Sequence, residues 1–301
     1  MQLVNRAIVG SLPLVPRAVV RRLSSRYIAG STLDDAVRVV RRLNGEGKLA
    51  TIDVLGEEIE NPEEAHAIAA AYHEVLERIQ AERLDSNISV KLTGFGLALA
   101  EDLCRVNLES VVRDARERST FVRIDMEDSS TTDATLGLYR ELRTAGYENV
   151  GIVLQSRLRR TLADTAGLDD VRLCKGIYVE PEAIAFQDSE EVRASYVRCL
   201  EALLGAGAYV GIATHDELLI GEGLRLVAEH GLRPDQYEFQ MLLGVRPQRG
   251  DELVRAGHRL RVYVPFGTQW YEYSLRRLQE NPQIAGYVAA DLFHRLRFSN
   301  S

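Results

Sequence analysis

Eight short β-rich runs recur along the chain, and their spacing limits the folds open to it. They are LATIDVL (49–55), NISVKL (87–92), TFVRIDM (120–126), NVGIVLQ (149–155), DVRLCKG (170–176), AYVGIAT (208–214), YEFQML (237–242) and RLRVYVP (259–265). Amphipathic stretches lie between them, such as PEEAHAIAAAYHEVLERIQAERL (62–84) and SEEVRASYVRCLEALLGAG (189–207), where Ser189 reads as an N-cap and the Gly-Ala-Gly as a stop. Strands alternating with helices imply parallel strands joined by crossover helices. Eight such units match a (β/α)8 barrel of the TIM type better than a doubly wound sheet. The interval between the fourth and fifth runs is short, leaving only SRLRRTLADTAGL (156–168) for its helix. Two earlier helical stretches, 14–29 and 33–46, would form an arm or cap the barrel bottom. The expected division is therefore an N-terminal helical arm over 1–48 and a barrel over 49–301.

Composition narrows the partners. A net charge of −7 argues against nucleic acid, because phosphate binding needs a basic footprint. No apolar run approaches the roughly 18–20 residues that span a bilayer. Cys104, Cys174 and Cys199 lie far apart with no C-x-x-C pair, the pattern of small core thiols in a reducing compartment. The N-terminus differs from the rest: Arg6, Arg17, Arg21, Arg22 and Arg26 precede the first acid, Asp34. Such a start reads as a basic helix packed on the domain, as a membrane-surface helix, or as a mitochondrial transit peptide. The expected setting is cytoplasmic, with peripheral contact at the inner face of a membrane.

Barrel enzymes carry their chemistry at the C-terminal strand ends. Those ends hold Asp53 and Glu57, then Lys91, then Asp125 and Glu127, then Gln155, then Arg172, Lys175, Gly176 and Tyr178. Thr214, His215 and Asp216 follow, with Glu238 and Gln240 on the seventh run and Tyr263 on the eighth. Polar groups are costly to bury without partners, so a polar ligand accounts for them economically. An internal ion-pair layer, with Asp53, Asp125 and Glu127 neutralising Lys91, Arg172 and Lys175, is the competing account. A metal centre is disfavoured, since His215 alone among the six histidines falls at a strand end.

Two clusters read as cofactor handles. RLCKGIY (172–178) pairs cations with a glycine that lets backbone approach a phosphate. ATHDE (213–217) puts hydroxyl, imidazole and N–H groups at a helix N-terminus, a natural anion site. Because they come from neighbouring strands, one pyrophosphate can touch both. SVKLTGFGLALA (89–100) imitates a dinucleotide fingerprint, but Leu99 stands where a third small residue belongs, so Gly94-x-Gly96 reads as a tight turn. Near the C-terminus, YVPFGTQWYEYSLRRLQENP (263–282) places Tyr273, Arg276 and Arg277 on one helix face, which asks for an anion.

SVKLTGFG, RIDMED, IVLQ, RLCKGIY, ATHDE, EFQMLLG and VYVPFGTQWYEYSLRRLQENP together resemble, in the right order, proline dehydrogenase of the short monofunctional bacterial type. The similarity runs from Leu49 to Pro282, and Tyr-x-x-Arg-Arg is its most specific part. It implies a distorted (β/α)8 barrel with the last helix over the barrel top and FAD held noncovalently there. The implied reaction takes L-proline to Δ1-pyrroline-5-carboxylate by hydride transfer, then passes electrons to a quinone. The product would go to a separate pyrroline-5-carboxylate dehydrogenase. By the same resemblance Lys91, Arg276 and Arg277 grip the substrate carboxylate, while Tyr178, Leu242, Tyr263 and Tyr273 wall the ring. Arg172 would lie near the flavin N5, and Gln155 and Gln240 would bond the isoalloxazine edge. Met126, Lys175, Gly176, Ile177, Thr214 and His215 would hold the rest of FAD, and Asp125 would be an active-site acid. Two other readings stay open on the residues: a flavin barrel acting on another amino acid such as hydroxyproline, and a catalytically silent barrel that only binds.

Overall fold

The computed structural model describes residues 26–56, 59–271 and 274. Eight parallel strands close into a barrel in chain order, the eighth pairing with the first. They are β1 (Leu49–Val54), β2 (Ser86–Val90), β3 (Val122–Ile124), β4 (Val150–Gln155), β5 (Asp170–Cys174), β6 (Tyr209–Ala213), β7 (Tyr237–Leu242) and β8 (Leu260–Phe266). All eight expected runs become strands, each within a few residues of its reading. Around them lie α1 (Leu33–Gly45), α2 (Pro62–Glu82), α3 (Glu101–Glu117), α4 (Thr132–Thr144), α5 (Thr161–Asp164), α6 (Ser189–Gly205), α7 (Glu217–Glu229) and α8 (Pro247–Arg255).

Side-chain caps explain half of the described helix starts. Thr32 and Asp35 form a reciprocal capping box on α1, and Asn61 caps α2 ahead of Pro62. For α6 the cap is Asp188, not Ser189: its carboxylate accepts from the Glu190 and Glu191 amides, so Ser189 becomes the first helical residue. The stretch 156–168 keeps only the single turn α5, because β5 begins at Asp170 and leaves no room for more. The tight-turn reading of Gly94-x-Gly96 holds. Phe95 and Leu97 both donate to the Leu92 carbonyl, and Gly96 has a φ of 102° that other residues avoid. Most of the 14–29 stretch lies outside the described residues; its end is a turn leading to an Ala29 N–H bond to the Pro265 carbonyl.

The inner strand face is largely polar, unlike that of an ordinary barrel, whose interior layers are mostly Val, Ile and Leu. Ala50, Ile52, Ile88, Val90, Val122, Ile124, Ile152, Val210 and Phe239 belong to the apolar core shared with the helices. The alternate positions are largely polar, and their bonds skip strands. Arg123 of β3 pairs with Asp170 of β5, Arg172 of β5 reaches Ser89 of β2, and Tyr263 of β8 reaches Asp125 just past β3. Such contacts run only through the barrel interior. Space for these long side chains comes from glycine: a Cβ on Gly151 would overlap Arg123 Nη1, and one on Gly211 would overlap Gln240 Nε2.

Arg123 is only 2% exposed, so overpacking at Gly151 has nowhere to relax. Gly151→Ala should cost about 1–3 kcal/mol in denaturant-induced unfolding; an unchanged midpoint would show that Arg123 is not held where the geometry puts it.

Candidate active site

At the C-terminal end of the barrel, seven side chains from six strands or strand ends form one buried network. Arg172 Nη1 donates to Asp125 Oδ1 at 2.7 Å and to Ser89 Oγ at 3.0 Å, and its Nε donates to Gln240 Oε1 at 2.6 Å. Tyr263 donates its hydroxyl to Asp125 Oδ2 at 2.9 Å and accepts from Lys91 Nζ at 3.1 Å. Lys91 also lies 3.0 Å from Asp53 Oδ1 and 3.4 Å from Asp125 Oδ2. The Tyr263 ring faces both cations, with the Arg172 guanidinium carbon 5.3 Å and Lys91 Nζ 5.8 Å from its centroid.

Burial sets the electrostatics of this network. It would raise the Asp125 pKa, but the charges of Lys91 and Arg172 and the bonds from Ser89 and Tyr263 outweigh it, and the carboxyl is held below its usual value. The Tyr263 phenol is pushed well above its ordinary value by burial and then by Asp125 and Asp53, against the opposing pull of Lys91 and Arg172. The tyrosine therefore acts as a neutral hydroxyl that donates to one neighbour and accepts from another. Arg172 is 6% exposed, and its Nη2 has no hydrogen-bond partner among the described residues. A buried guanidinium edge without an acceptor costs free energy unless a ligand supplies one.

The rim around this centre gathers the expected cofactor handles. Gln155 donates Nε2 to the Met126 and Glu127 carbonyls, and Gly176, with φ 92°, packs so closely on Gln155 that a Cβ would stand 2.6 Å from Oε1. Lys175 pairs with Asp216 at 3.2 Å, and Asp216 also takes Arg193 at 2.8 Å while capping α7 through the Leu218 amide. Burial raises the Asp216 carboxyl, but bonds from Arg193 and Lys175 bring it below its usual value. Thr214 Oγ1 accepts from the Asp216 amide, and His215 Nε2 accepts from the Leu242 amide at 2.9 Å. A backbone amide can only donate, so the remaining His215 proton sits on Nδ1. Beside these groups Ile177 is half exposed and Val179 is 93% exposed, an unusual display of apolar surface at a barrel mouth. Tyr178 stands between them, partly buried.

The internal ion-pair account is thus right in part. Lys91 and Arg172 are neutralised by Asp53 and Asp125, but Lys175 turns to Asp216, and Glu127 instead holds the Thr93 amide at 3.0 Å. Tyr273, Arg276, Arg277 and Glu57 lie outside the described residues, as does most of the stretch expected to form the last helix. Three contributors were not anticipated. Ser89 shares the polar face with Lys91 two residues on, a signal the alternation carried. Tyr72 on α2 donates to the Ser89 carbonyl at 2.6 Å, and Arg193 on α6 reaches Asp216; neither has a local sequence cue. Among the described residues no cluster of three or more His, Cys, Asp or Glu can hold a metal, and no helix is long and apolar enough to cross a membrane.

The family model for proline dehydrogenase matches residues 36–290. Proline dehydrogenase 1 of Bacillus subtilis subsp. natto is 40% identical over 267 residues, covering 87% of this chain and 88% of that protein. Proline dehydrogenase of Deinococcus radiodurans is 38% identical over 274 residues, covering 88% of each. Among solved structures, proline utilization A (PutA) of Bdellovibrio bacteriovorus, inactivated by N-propargylglycine, superposes with a TM-score of 0.79 at 25% identity. That match covers 86% of this chain and 32% of the PutA chain, so the present chain spans about a third of that larger protein. With the family model matched from α1 past β8, and with these relatives covered nearly end to end, the chain belongs to the proline dehydrogenase family.

Proposed function

We propose that the chain oxidises L-proline to Δ1-pyrroline-5-carboxylate with FAD held at the barrel mouth, and that its electrons go on to a quinone. The family's place in proline catabolism gives the substrate; the observation that carries the cofactor is Arg172. Its guanidinium is fixed by Asp125, Ser89 and Gln240, and its Nη2 is a buried donor without an acceptor. The donor set around it fits a flavin dinucleotide. Gln155 and Gln240 suit the ring edge, and Gly176, Lys175, Thr214 and His215 suit the phosphates and sugars. Ile177 and Met126 offer apolar contact. Bound FAD would supply the two-electron acceptor needed for the hydride that leaves proline C5.

The chain's own residues bind and orient. Lys91 and Arg172 carry two positive charges, and Asp53 and Asp125 carry two negative ones, so the described centre is already balanced. A substrate carboxylate entering it needs additional cations, which we assign to Arg276 and Arg277, with Lys91 as the third contact. Tyr178, Leu242, Tyr263 and Tyr273 would wall the pyrrolidine ring, and positioning then does most of the work. Both Asp125 oxygens already accept hydrogen bonds, and its pKa is lowered, so we assign it the task of fixing Arg172, Lys91 and Tyr263. The amine proton goes to solvent. The Arg-rich start, of which all but Arg26 lies outside the described residues, is the segment we assign to peripheral membrane contact near the quinone. A separate pyrroline-5-carboxylate dehydrogenase would consume the product.

Purified protein should show flavin absorption that L-proline bleaches and a short-chain quinone restores; protein that never takes up FAD would end this reading. Arg277→Met should raise KM for proline at least tenfold while flavin stays bound, since each charge-assisted bond is worth about 1.5–3 kcal/mol. An unchanged KM removes Arg277 from the substrate contacts. Asp125 has a depressed folded pKa, so its stabilising contribution is full above the ordinary value of 3.8 and is lost as pH falls through the lower folded value. The stability gap between wild type and Asp125→Asn, read by chemical denaturation, should therefore narrow below about pH 4. A gap that stays constant would mean that the carboxylate's charge is not what matters.

A further inference from the structure

Beneath Arg172 the barrel interior continues as a second polar layer that the reaction does not touch. Gln240 connects the two: its Oε1 accepts from Arg172 Nε at 2.6 Å, and its Nε2 donates to Glu238 Oε1 at 2.6 Å. Glu238 is 1% exposed and lies two residues back on the same face of β7. Its Oε1 also takes Arg261 Nε at 2.7 Å, and its Oε2 takes the Tyr209 hydroxyl at 3.0 Å.

The chemistry of these partners leaves one orientation for the amide. A carboxylate only accepts and a guanidinium only donates, so the NH2 must face Glu238 and the oxygen must face Arg172. A flipped amide would set NH2 against guanidinium and oxygen against carboxylate, losing both bonds. Gly211 on β6 makes room for this arrangement, since a Cβ there would overlap Gln240 Nε2 and stand 2.9 Å from Cδ.

We infer that Glu238 is a positioning residue for the reaction: by fixing the Gln240 amide, it holds the Arg172 guanidinium with Nη2 free for the flavin. This rests on the FAD reading above. Glu238 also balances the buried Arg261, and burial, which would raise its pKa, is outweighed by Arg261 and by hydrogen bonds, so it stays ionised. The two tasks separate chemically. In Glu238→Gln the side-chain oxygen still accepts from Gln240 and Arg261 and the new NH2 can donate to Tyr209, so the positioning survives while the counter-charge is lost. In Glu238→Met/Arg261→Met both charges leave together, so no lone ion is stranded, but the Gln240 anchor is gone. Gly211→Ala displaces the amide without altering any charge.

A cation fixed at the flavin favours its electron-rich reduced form, so the readout is the midpoint potential of the bound flavin. The double variant and Gly211→Ala should each lower the reduced-to-oxidised equilibrium about tenfold, about 30 mV for two electrons. Glu238→Gln should keep the wild-type potential while melting at a lower temperature. An unchanged potential in both displacing variants, or an equal shift in Glu238→Gln, overturns the inference. Hydrogen exchange of the Arg172 Nε–H, followed by NMR in flavin-free protein and assigned with Arg172→Lys, tests the same positioning without cofactor. It should be slow in wild type and Glu238→Gln and at least tenfold faster in the displacing variants; equal rates in all four overturn it. Wild-type protein that takes up no flavin would defeat the cofactor reading alone, and the exchange rates would then decide on Glu238.

Discussion

The contact between Arg172 and Asp125 governs much of the rest of this barrel. Taking two ions out of water is expensive, and their attraction repays the cost only when every remaining donor and acceptor is matched. The matching here recruits Ser89, Tyr263, Lys91, Asp53 and Gln240, one after another around the ring. Each of these sits on the strand face that most barrels fill with aliphatic side chains. The apolar face is left to point outward, where α1 to α8 cover it. Hydrophobic stabilisation thus resides in the outer layer, and the inner layer is reserved for charge.

That division suits a site whose chemistry is placement. The centre is neutral as a set and its members hold one another, so a bound ring meets walls that need no rearrangement. In the proposed function, specificity for a carboxylate then falls to cations added from outside the ring, the task assigned there to Arg276 and Arg277. The proposed flavin asks for a different rim: exposed apolar residues beside a glycine, a lysine and a capped helix start. Both rims meet at β5 and β6, where Arg172 and Lys175 are three residues apart but serve different partners.

Periodicity carried the fold well because each β-rich run had an apolar face to bury, and the helices announced themselves by caps and stops. It misplaced the α6 cap by one residue because Asp188 and Ser189 are both good capping residues, and only the Glu190 and Glu191 amides distinguish them. The strand-end residues Lys91, Asp125, Arg172, Gln240 and Tyr263 were readable since chemistry in a barrel has only one end to occupy. Which charge meets which was not. Lys175 could be assigned to Asp216 only once β5 and β6 lay side by side, and Arg193 arrives from a helix turn with no local mark. The role of Gly211 was invisible for the same reason: its missing side chain matters to a residue on the neighbouring strand.

Closure of the ring also bears on how the protein is made. β1 pairs with β8 along its whole length, from Leu49 opposite Arg261 to Val54 opposite Phe266. On a ribosome, β1 emerges more than two hundred residues before its second neighbour, and until then it is an open edge. A half-made barrel therefore exposes an unpaired strand edge together with charged groups whose partners are still unsynthesised. Nascent chains of this kind are natural clients for chaperones, and a stall late in translation would leave an aggregation-prone sheet in place of a smaller working enzyme.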